Sequence, residues 1–264
     1  MPTRNEEFLG KIALITGAGA GIGRAIALEW SRRGGIAVVT DIQEGDAERV
    51  KSEIEAEGGS AFARKLDVCA LDEIKAGIAA SVEHGGGIDA LFNVAGTNLA
   101  KNVEETDDED WSRILDTNLT SVYRCSKYAL PELRKRRGSI VNIASVAGLI
   151  GEGRCAAYSA SKGGVVLLTR NMAMDFAADG VRVNAICPAG AMTPRIEGYM
   201  RSVPGLEREM LQMRPIGRFA ESKEIARPAL FLASTDASYI TGSILVVDGG
   251  LTAGFRVPVL DKMK

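Results

Sequence analysis

Tyr158 and Lys162 stand four residues apart in a segment that runs Tyr-Ser-Ala-Ser-Lys. On a helix this spacing puts both side chains on one face, about one turn from each other. A tyrosine with an ordinary pKa of about 10 is a poor base at neutral pH. A neighbouring ammonium favours the phenolate and lowers that pKa. Such a tyrosine can take the proton from an alcohol while a hydride leaves, or return it to a ketone.

Ser145 comes shortly before this pair and just after Ser139–Ile143, an apolar run typical of a buried strand. Ligands of open α/β sheets bind at the carboxyl edge of the strands, so the Ser145 hydroxyl is placed to hold the reacting oxygen. A Tyr-x-x-x-Lys pair alone is weak evidence, because surface helices contain such pairs by chance. It gains meaning only beside a second, independent motif.

That second motif is the glycine-rich turn Thr-Gly-Ala-Gly-Ala-Gly-Ile-Gly over residues 16–23. It follows the apolar run Ile12–Thr16 and opens an amphipathic helix through Ile26 and Trp30. Its spacing is T-G-x-x-x-G-x-G rather than G-x-G-x-x-G. Glycines there allow a sharp turn and let a diphosphate approach the N–H groups of a helix N-terminus. A ligand-free turn is the alternative, but the strand-loop-helix context favours a dinucleotide site.

Asp41 directly follows a second β-branched run, Ile36–Thr40. A carboxylate at this place can accept both adenosine ribose hydroxyls and would repel a 2′-phosphate. Ile42 and Gln43 follow and are not basic, so the sequence favours NAD over NADP. The N-cap of the next helix is a second role open to Asp41. Asp67, after a third strand, is placed to reach the adenine edge.

Apolar runs alternate with amphipathic segments along the whole chain, which predicts an α/β fold with a doubly wound parallel sheet of about seven strands and helices on both faces. We expect a single Rossmann-type domain over residues 1–264. The predicted strands are Ile12–Thr16, Ile36–Thr40, Ala61–Leu66, Ala90–Val94, Ser139–Ile143, Val181–Ile186 and Ser243–Val247. Besides the helix after the glycine turn, the predicted helices are Ala47–Glu57, Leu71–His84, Asp107–Arg137, Tyr158–Asp175 and Ala226–Ala233. Residues 187–218 hold four prolines and no clear period, and we expect an irregular substrate loop there.

Composition excludes several classes of protein. His84 is the single histidine, which rules out a His-rich metal site, and no metal is expected. A net charge of −2 gives no reason to expect nucleic acid or a membrane surface as partner, and the basic run 134–137 is expected to be a solvated helix end. The four cysteines form no Cys-x-x-Cys pair and are expected to be reduced packing residues. Acidic residues stand near the start where a signal peptide would have an apolar segment, and no apolar run approaches 18 residues, so a cytoplasmic protein is expected.

Together these motifs resemble the short-chain dehydrogenase/reductase family, in its compact branch of about 250 residues. The likeness runs from the first strand to Asp248-Gly249-Gly250. It implies a catalytic tetrad of Asn118, Ser145, Tyr158 and Lys162. In this tetrad Asn118 anchors a water of the proton relay, and Lys162 also holds the nicotinamide ribose. It implies cofactor contacts from Thr16, Gly17, Gly21, Ile22, Gly23, Asp41, Asp67, Val68, Asn93, Ala95, Gly96, Tyr158, Lys162, Pro188 and Thr193.

Two positions depart from the family pattern. Val94 replaces the second asparagine of the Asn-Asn-Ala-Gly segment, which removes one polar contact of the scaffold. Ala189 replaces the glycine of the Pro-Gly segment and changes the expected path of the loop near the nicotinamide. Thr193 still occupies the position expected to bind the carboxamide, so the cofactor assignment is kept.

The resemblance implies a reaction type but no substrate. Most candidate pocket residues are apolar, which suggests a small or hydrophobic carbonyl compound: Val146, Ala147, Ile150, Gly151, Met192, Ile196, Tyr199 and Met200. Arg154 and Arg195 are the exceptions. Either they are surface arginines in solvent, or one or both contact an anionic group such as a carboxylate, phosphate or sulfonate.

Three functions compete at this point. The first is an NAD-dependent dehydrogenase or reductase that interconverts a secondary alcohol and a ketone. The second is a 3-oxoacyl-carrier-protein reductase, against which Asp41 counts because that role usually implies NADPH. The third is a non-catalytic protein that senses NAD.

The resemblance also implies a homotetramer built on the two long helices and the last strand. His84, at a helix end, is expected to be only a cap.

Overall fold

The computed structural model describes residues 6–254, without the side chains of Pro194 and Arg195. Its strands are β1 (Ile12–Thr16), β2 (Ile36–Asp41), β3 (Ser60–Lys65), β4 (Ala90–Asn93), β5 (Ser139–Ile143), β6 (Arg182–Pro188), β7 (Ala191–Met192), β8 (Ala220–Glu221) and β9 (Ile244–Val247). Seven of them form one parallel sheet in the order β3-β2-β1-β4-β5-β6-β9, and β7 pairs with β8. The chain reverses its direction of winding between β1 and β4, which creates the crevice where such sheets bind ligands.

The helices cover both faces of this sheet. They are α1 (Gly21–Arg32), α2 (Glu44–Ala56), α3 (Leu71–Gly85), α4 (Asp108–Leu115), α5 (Ser121–Arg136), α6 (Ala156–Phe176), α7 (Pro194–Ser202), α8 (Leu206–Gln212) and α9 (Ser222–Ala233). One core cluster joins the sheet to α1, α2 and α9, with Trp30 stacked on Phe8. The other joins it to α3, α5 and α6, around Leu91, Leu133 and Val165.

The central strands are buried on both faces, which explains their continuous apolar sequences. All five residues of β1 and of β5 are buried. Parallel pairing sets Ile15 beside Val39 on one side and beside Phe92 on the other, so the ends of neighbouring strands lie at one edge. The predicted α/β class and the seven-stranded parallel sheet are confirmed.

Two predicted segments differ from the structure. The helical region Asp107–Arg137 is two helices joined by a wider π-helical turn over Asp116–Thr120. Residues 187–218 are not irregular, because β6 extends to Pro188 and the segment then forms β7, α7 and α8. Thr193 caps α7 and Pro194 occupies its first turn, where a missing N–H is tolerated.

Two side-chain predictions also need correction. His84 is not a cap: helix α3 ends on Gly86 in the left-handed conformation, while the His84 ring stacks on Phe62 at 3.9 Å. The cysteines are free, but only three of them are buried, and Cys69 is exposed.

The basic run 134–137 does end α5, where Arg134 pairs with Asp179. Within residues 6–254, no helix is long and apolar enough to cross a membrane.

Candidate active site

The glycine turn between β1 and α1 is tightly constrained by its neighbours. Gly17 and Gly21 have φ of +63° and +53°, which glycine adopts without strain. A Cβ on Gly23 would lie 2.2 Å from the Gly17 carbonyl oxygen, and one on Gly17 would lie 2.8 Å from the Ala95 Cα. Backbone therefore occupies the space that side chains would need. The turn fits a diphosphate, which requires close approach to N–H groups at the start of a helix.

Asp41 ends β2 beside this turn. One carboxylate oxygen accepts the Gly19 N–H at 3.0 Å and the other accepts the Gln43 N–H at 3.0 Å. Each oxygen keeps a further lone pair for a ribose hydroxyl. Asp41 is thus held beside the glycine turn with lone pairs available to a ligand, and it is not the N-cap of α2, which is Gln43.

Thr16 connects the turn to the end of β4. Its hydroxyl accepts the N–H groups of Val94 at 3.0 Å and Ala95 at 3.2 Å, and it donates to the Phe92 carbonyl. The Val94 side chain packs against the core, so its replacement of an asparagine leaves a packed, apolar contact.

Asn93 has a structural rather than a ligand-facing side chain. It is 3% exposed and donates to Asn142 at 2.8 Å and to Ser126 at 3.3 Å. Asn142 in turn donates to Thr169 on α6 at 2.9 Å. The chain of bonds ties β4, β5 and α6 together, so any cofactor contact from Asn93 would come from its backbone.

Asn118 lies in the π-helical turn, and this turn directs its amide into the interior. It accepts the Thr97 N–H at 2.8 Å and donates to the Thr97 carbonyl at 2.9 Å. It also donates to the Ser161 hydroxyl at 3.0 Å, and Ser161 donates to the Tyr158 carbonyl at 2.7 Å. Asn118 is therefore bonded to the helix turn that carries Tyr158 and Lys162. π-helical turns are frequent at functional sites.

Lys162 is 4% exposed, and its ammonium donates to the Ile143 carbonyl at the end of β5, at 2.8 Å. The same ammonium lies 5.9 Å from the centroid of the Tyr158 ring. A buried ammonium this close favours the phenolate form of the tyrosine. Gly96 lies alongside, because a Cβ on it would stand 3.1 Å from the Asn118 oxygen and 3.5 Å from the Lys162 ammonium.

Ser145 begins a short 3-10 turn after β5. Its hydroxyl accepts the Ala147 N–H at 3.2 Å and is 7% exposed. The neighbouring thiol of Cys187, on β6, has its pKa raised to about 11 by burial, so it is neutral at physiological pH. The predicted tetrad of Asn118, Ser145, Tyr158 and Lys162 is thus brought to the ends of β4 and β5 and the first turns of α6.

The remaining predicted cofactor residues follow the same edge. Thr193 lies against the glycine turn, since a Cβ on Gly21 would be 3.0 Å from its methyl group. Pro188 ends β6, and Ala189 donates to the Val247 carbonyl at 3.3 Å. Gly190, with φ +37°, is the left-handed residue of this segment, so alanine at position 189 causes no backbone strain. The other residues are Ile22, packed on the core, and Asp67 and Val68 after β3.

The predicted substrate residues divide into two groups. Val146 is buried in the turn after Ser145, whereas Ile150 is 46% exposed; Met192 and Ile196 are partly buried in β7 and α7. Arg154 makes a bidentate ion pair with Glu105, at 3.0 and 2.8 Å, and both side chains are largely exposed. This pair favours the surface interpretation of Arg154. The side chain of Arg195 lies outside the described part of the structure.

Sequence analysis missed two charged residues near this edge, Arg214 and Glu152. Arg214 is 4% exposed and lies against Gly190. Glu152 is exposed, yet partial desolvation of its carboxyl by the surrounding loop raises its pKa, and the nearby Cys155 and the charge of Arg214 only partly offset this effect. Only tertiary packing reveals them, because neither residue belongs to a motif or to an amphipathic period.

This edge therefore brings together a glycine turn at a helix N-terminus, a carboxylate at the end of the next strand, and a tyrosine with a buried ammonium near it, an arrangement typical of dinucleotide-dependent oxidoreductases. A family model described as enoyl-(acyl carrier protein) reductase, of the short-chain type, matches residues 17–252. The chain belongs to the short-chain dehydrogenase/reductase family, as its motifs predict.

Individual proteins agree with this assignment. The meso-2,3-butanediol dehydrogenase of Serratia marcescens is 41% identical over 251 residues, covering 95% of this chain and 98% of the relative. The 3-oxoacyl-[acyl-carrier-protein] reductase FabG of Staphylococcus aureus (strain Mu50) is 38% identical, covering 91% and 98%. The crystal structure of gox2181 superposes with a TM-score of 0.91 at 29% identity, covering 96% of this chain and all of that one.

Proposed function

We propose that this chain is an NAD(H)-dependent enzyme that interconverts a secondary alcohol and a ketone, with Tyr158 as the general acid and base. The observation that carries the proposal is the Lys162 ammonium, which is buried, bound to the Ile143 carbonyl and 5.9 Å from the Tyr158 ring. A buried positive charge in this position favours loss of the tyrosine proton, which is what a general base requires. The similarity to a butanediol dehydrogenase supports the same substrate class.

The residues of the tetrad have separate tasks in this reaction. A bound nicotinamide would supply the acceptor or donor of the hydride. Tyr158 takes the proton of the alcohol hydroxyl in oxidation and returns it to the ketone oxygen in reduction. Ser145 donates a hydrogen bond to that oxygen and keeps it within reach of Tyr158. Lys162 stabilises the phenolate and would bind the nicotinamide ribose, while Asn118 fixes the first turn of α6 through Ser161.

NAD rather than NADP is proposed as the cofactor. Asp41 would repel a 2′-phosphate. The residues that follow it, Ile42 and Gln43, carry no positive charge. We expect kcat/KM with NAD⁺ to exceed that with NADP⁺ at least tenfold, and Asp41→Ala to reduce this preference by an order of magnitude.

The direct test is a panel of secondary alcohols incubated with NAD⁺ or NADP⁺ and followed by NADH or NADPH absorbance. Turnover with NAD⁺ and at least one small secondary alcohol is the expected result. Equal or better rates with NADP⁺ would contradict the cofactor assignment. Binding of NADH without turnover of any alcohol or ketone would favour a protein that only senses NAD.

A second function, reduction of a 3-oxoacyl chain on a carrier protein, has support from the similarity to FabG and from the description of the matching family model. Asp41 counts against it, because that role usually implies NADPH. Carrier-bound acetoacetyl with NADPH is the discriminating substrate: faster reduction of it than of free ketones with NADH would establish this second function.

A homotetramer is also proposed. Apolar side chains that a monomer leaves in water support it, including Leu167 and Met174 on α6, which are 65% and 82% exposed, and Val246 on β9. Light scattering should give a mass close to four chains of 28.0 kDa; a monomer would contradict the proposal.

We also propose that the chain is a single catalytic domain located in the cytoplasm. Continuous packing from β1 to β9 supports one domain, and four free cysteines fit a reducing compartment. Limited proteolysis yielding one resistant core, and fractionation of cells, test these two points.

A further inference from the structure

Arg214, between α8 and β8, is an arginine held inside the protein. It is 4% exposed, its guanidinium stacks on the Phe219 ring at 4.5 Å, and one of its nitrogens (Nη1) donates to the Met210 carbonyl. These contacts fix the side chain in one position. They satisfy one donor nitrogen of a group that carries five N–H donors.

Arg214 has no carboxylate partner in the described part of the chain. Within residues 6–254 no carboxylate oxygen lies within 4.0 Å of its guanidinium, whereas Arg154 has a bidentate one. Burial lowers the pKa of Arg214, and the charge of Glu152, beyond ion-pair distance, only partly offsets this effect. A buried charge without a close partner costs free energy, and a charged group perturbed in this way near a site is a candidate for binding a ligand.

The guanidinium lies against the segment that follows β6, at the carboxyl edge of the sheet. One of its nitrogens (Nη2) lies 2.7 Å from the position of a Cβ on Gly190, two residues beyond the end of β6. Glu152 follows Ser145 on the loop after β5, and its carboxyl lies near Cys155, the residue before α6. Arg214, held against Gly190, and Glu152 thus lie beside the segments that follow β6 and β5, the strands whose carboxyl ends lie at the edge that holds Ser145.

We propose that Arg214 determines substrate specificity by binding an anionic group, a carboxylate, on the secondary alcohol or ketone. This inference rests on the proposed function and narrows its substrate class to hydroxy acids and oxo acids. The planar guanidinium can donate two parallel hydrogen bonds to a carboxylate, and desolvation strengthens them. Glu152 lies near enough to weaken the binding of such an anion by repulsion.

The test uses acids paired with their own methyl esters, which keep the shape and remove the charge. The pairs are 3-hydroxybutyrate, 4-hydroxypentanoate and 5-hydroxyhexanoate with their esters, because the distance from the reacting carbon to Arg214 selects the chain length. With wild-type enzyme and NAD⁺, the preferred acid should exceed its ester in kcat/KM by about 10- to 100-fold, as expected for desolvated charge-assisted bonds. Equal values for every pair would overturn the proposal without any variant being made.

Two variants should move this acid-to-ester ratio in opposite directions. Arg214→Met keeps an apolar side chain against Phe219 and should reduce the ratio to about one, while Arg214→Lys should restore part of it. Glu152→Gln should raise the ratio, a change that a merely structural role for Arg214 does not explain. Arg201→Met, an exposed arginine of α7 paired with Glu197, is the matched control and should leave the ratio unchanged. Thermal unfolding of each variant checks that it folds.

Failure of the proposed function can be told apart from failure of this inference. If no member of the panel is oxidised, the proposed function fails, and calorimetric titration of the hydroxy acids into the NADH-loaded protein still measures anion binding. Binding that is lost in Arg214→Met supports the inference. Binding that is absent, or that is unchanged in this variant, overturns it.

Discussion

The chain contains two Tyr-x-x-x-Lys pairs with similar distances between ring and ammonium, and only one of them has a buried lysine at the carboxyl edge of the sheet. Tyr123 and Lys127 on α5 have their ammonium 5.5 Å from the ring centroid, close to the 5.9 Å of Tyr158 and Lys162. Lys127, however, is exposed on the surface and bonds to the Tyr123 hydroxyl, at 3.1 Å.

The surroundings of the two pairs explain this difference. Lys162 is buried and held by a strand carbonyl, and Asn118 fixes the helix turn that carries it. Water screens the charge of Lys127, so it acts on Tyr123 only weakly. The spacing of the motif therefore fixes only how the tyrosine and the lysine lie relative to each other. In our proposal, the sheet edge adds the desolvation and the cofactor site that make the pair reactive.

The largest effect should follow replacement of the two lysines. Lys162→Met removes the charge that stabilises the Tyr158 phenolate, and we expect kcat to fall by about 10³-fold. Lys127→Met should leave kcat within twofold. Steady-state oxidation of the best alcohol measures both, and equal losses in the two variants would mean that the environments do not differ as described.

The second-largest effect concerns the glycine turn. This turn lies at the same sheet edge as the Tyr158–Lys162 pair, whereas the Tyr123–Lys127 pair lies on α5. In Gly23→Ala the new Cβ overlaps the Gly17 carbonyl oxygen, so the turn must move and NADH affinity should fall at least about 100-fold. Gly45→Ala is the control: it lies in α2 with nothing within 4 Å, and alanine suits a helix. Fluorescence titration with NADH compares them, and native affinity in Gly23→Ala would contradict the assigned role of the turn.

Arg154→Met should have almost no effect on KM for anionic substrates, because its guanidinium is already paired with Glu105 at the surface. The same kinetic series that tests Arg214 measures it. A rise in KM of fivefold or more with the hydroxy acids, absent with their esters, would mean that Arg154 contacts the anionic group of the substrate.

The smallest effect is a dependence of stability on alkaline pH. The hydrogen bond with Tyr123 raises the pKa of Lys127 above its ordinary value. A group whose pKa is raised on folding stabilises the protein fully below the unfolded pKa of about 10.4 and loses this contribution as pH rises through the folded value. Urea unfolding should therefore give Lys127→Met a slightly flatter decline than wild type above pH 10, and the same stability difference from wild type at pH 7 and pH 9.

The sequence predicted the parts of the molecule in which geometry demands particular residues. The glycine turn and the central strands could be placed because buried parallel strands are continuously apolar and a tight turn requires glycine, whereas Asn118 was named only through the resemblance to the family. The π-helical turn that orients Asn118 was not predicted, since its hydrogen bonding leaves no mark on composition.

The segment after β6 shows where sequence reasoning stopped. Helices α7 and α8 have nine and seven residues, too few turns for a clear apolar period, and their four neighbouring prolines suggested an irregular loop. Arg154 and Arg195 were chosen for their neighbours in sequence, whereas Arg214 is defined by Gly190 and Phe219, which only folding brings to it.

Tyr158→Phe compared with Tyr123→Phe tests the central claim most directly. Both substitutions remove one hydroxyl from a tyrosine that has a lysine four residues later. We predict that Tyr158→Phe loses at least about 10³-fold in kcat while its Kd for NADH stays within threefold, and that Tyr123→Phe keeps both. Near-normal turnover by Tyr158→Phe would contradict it.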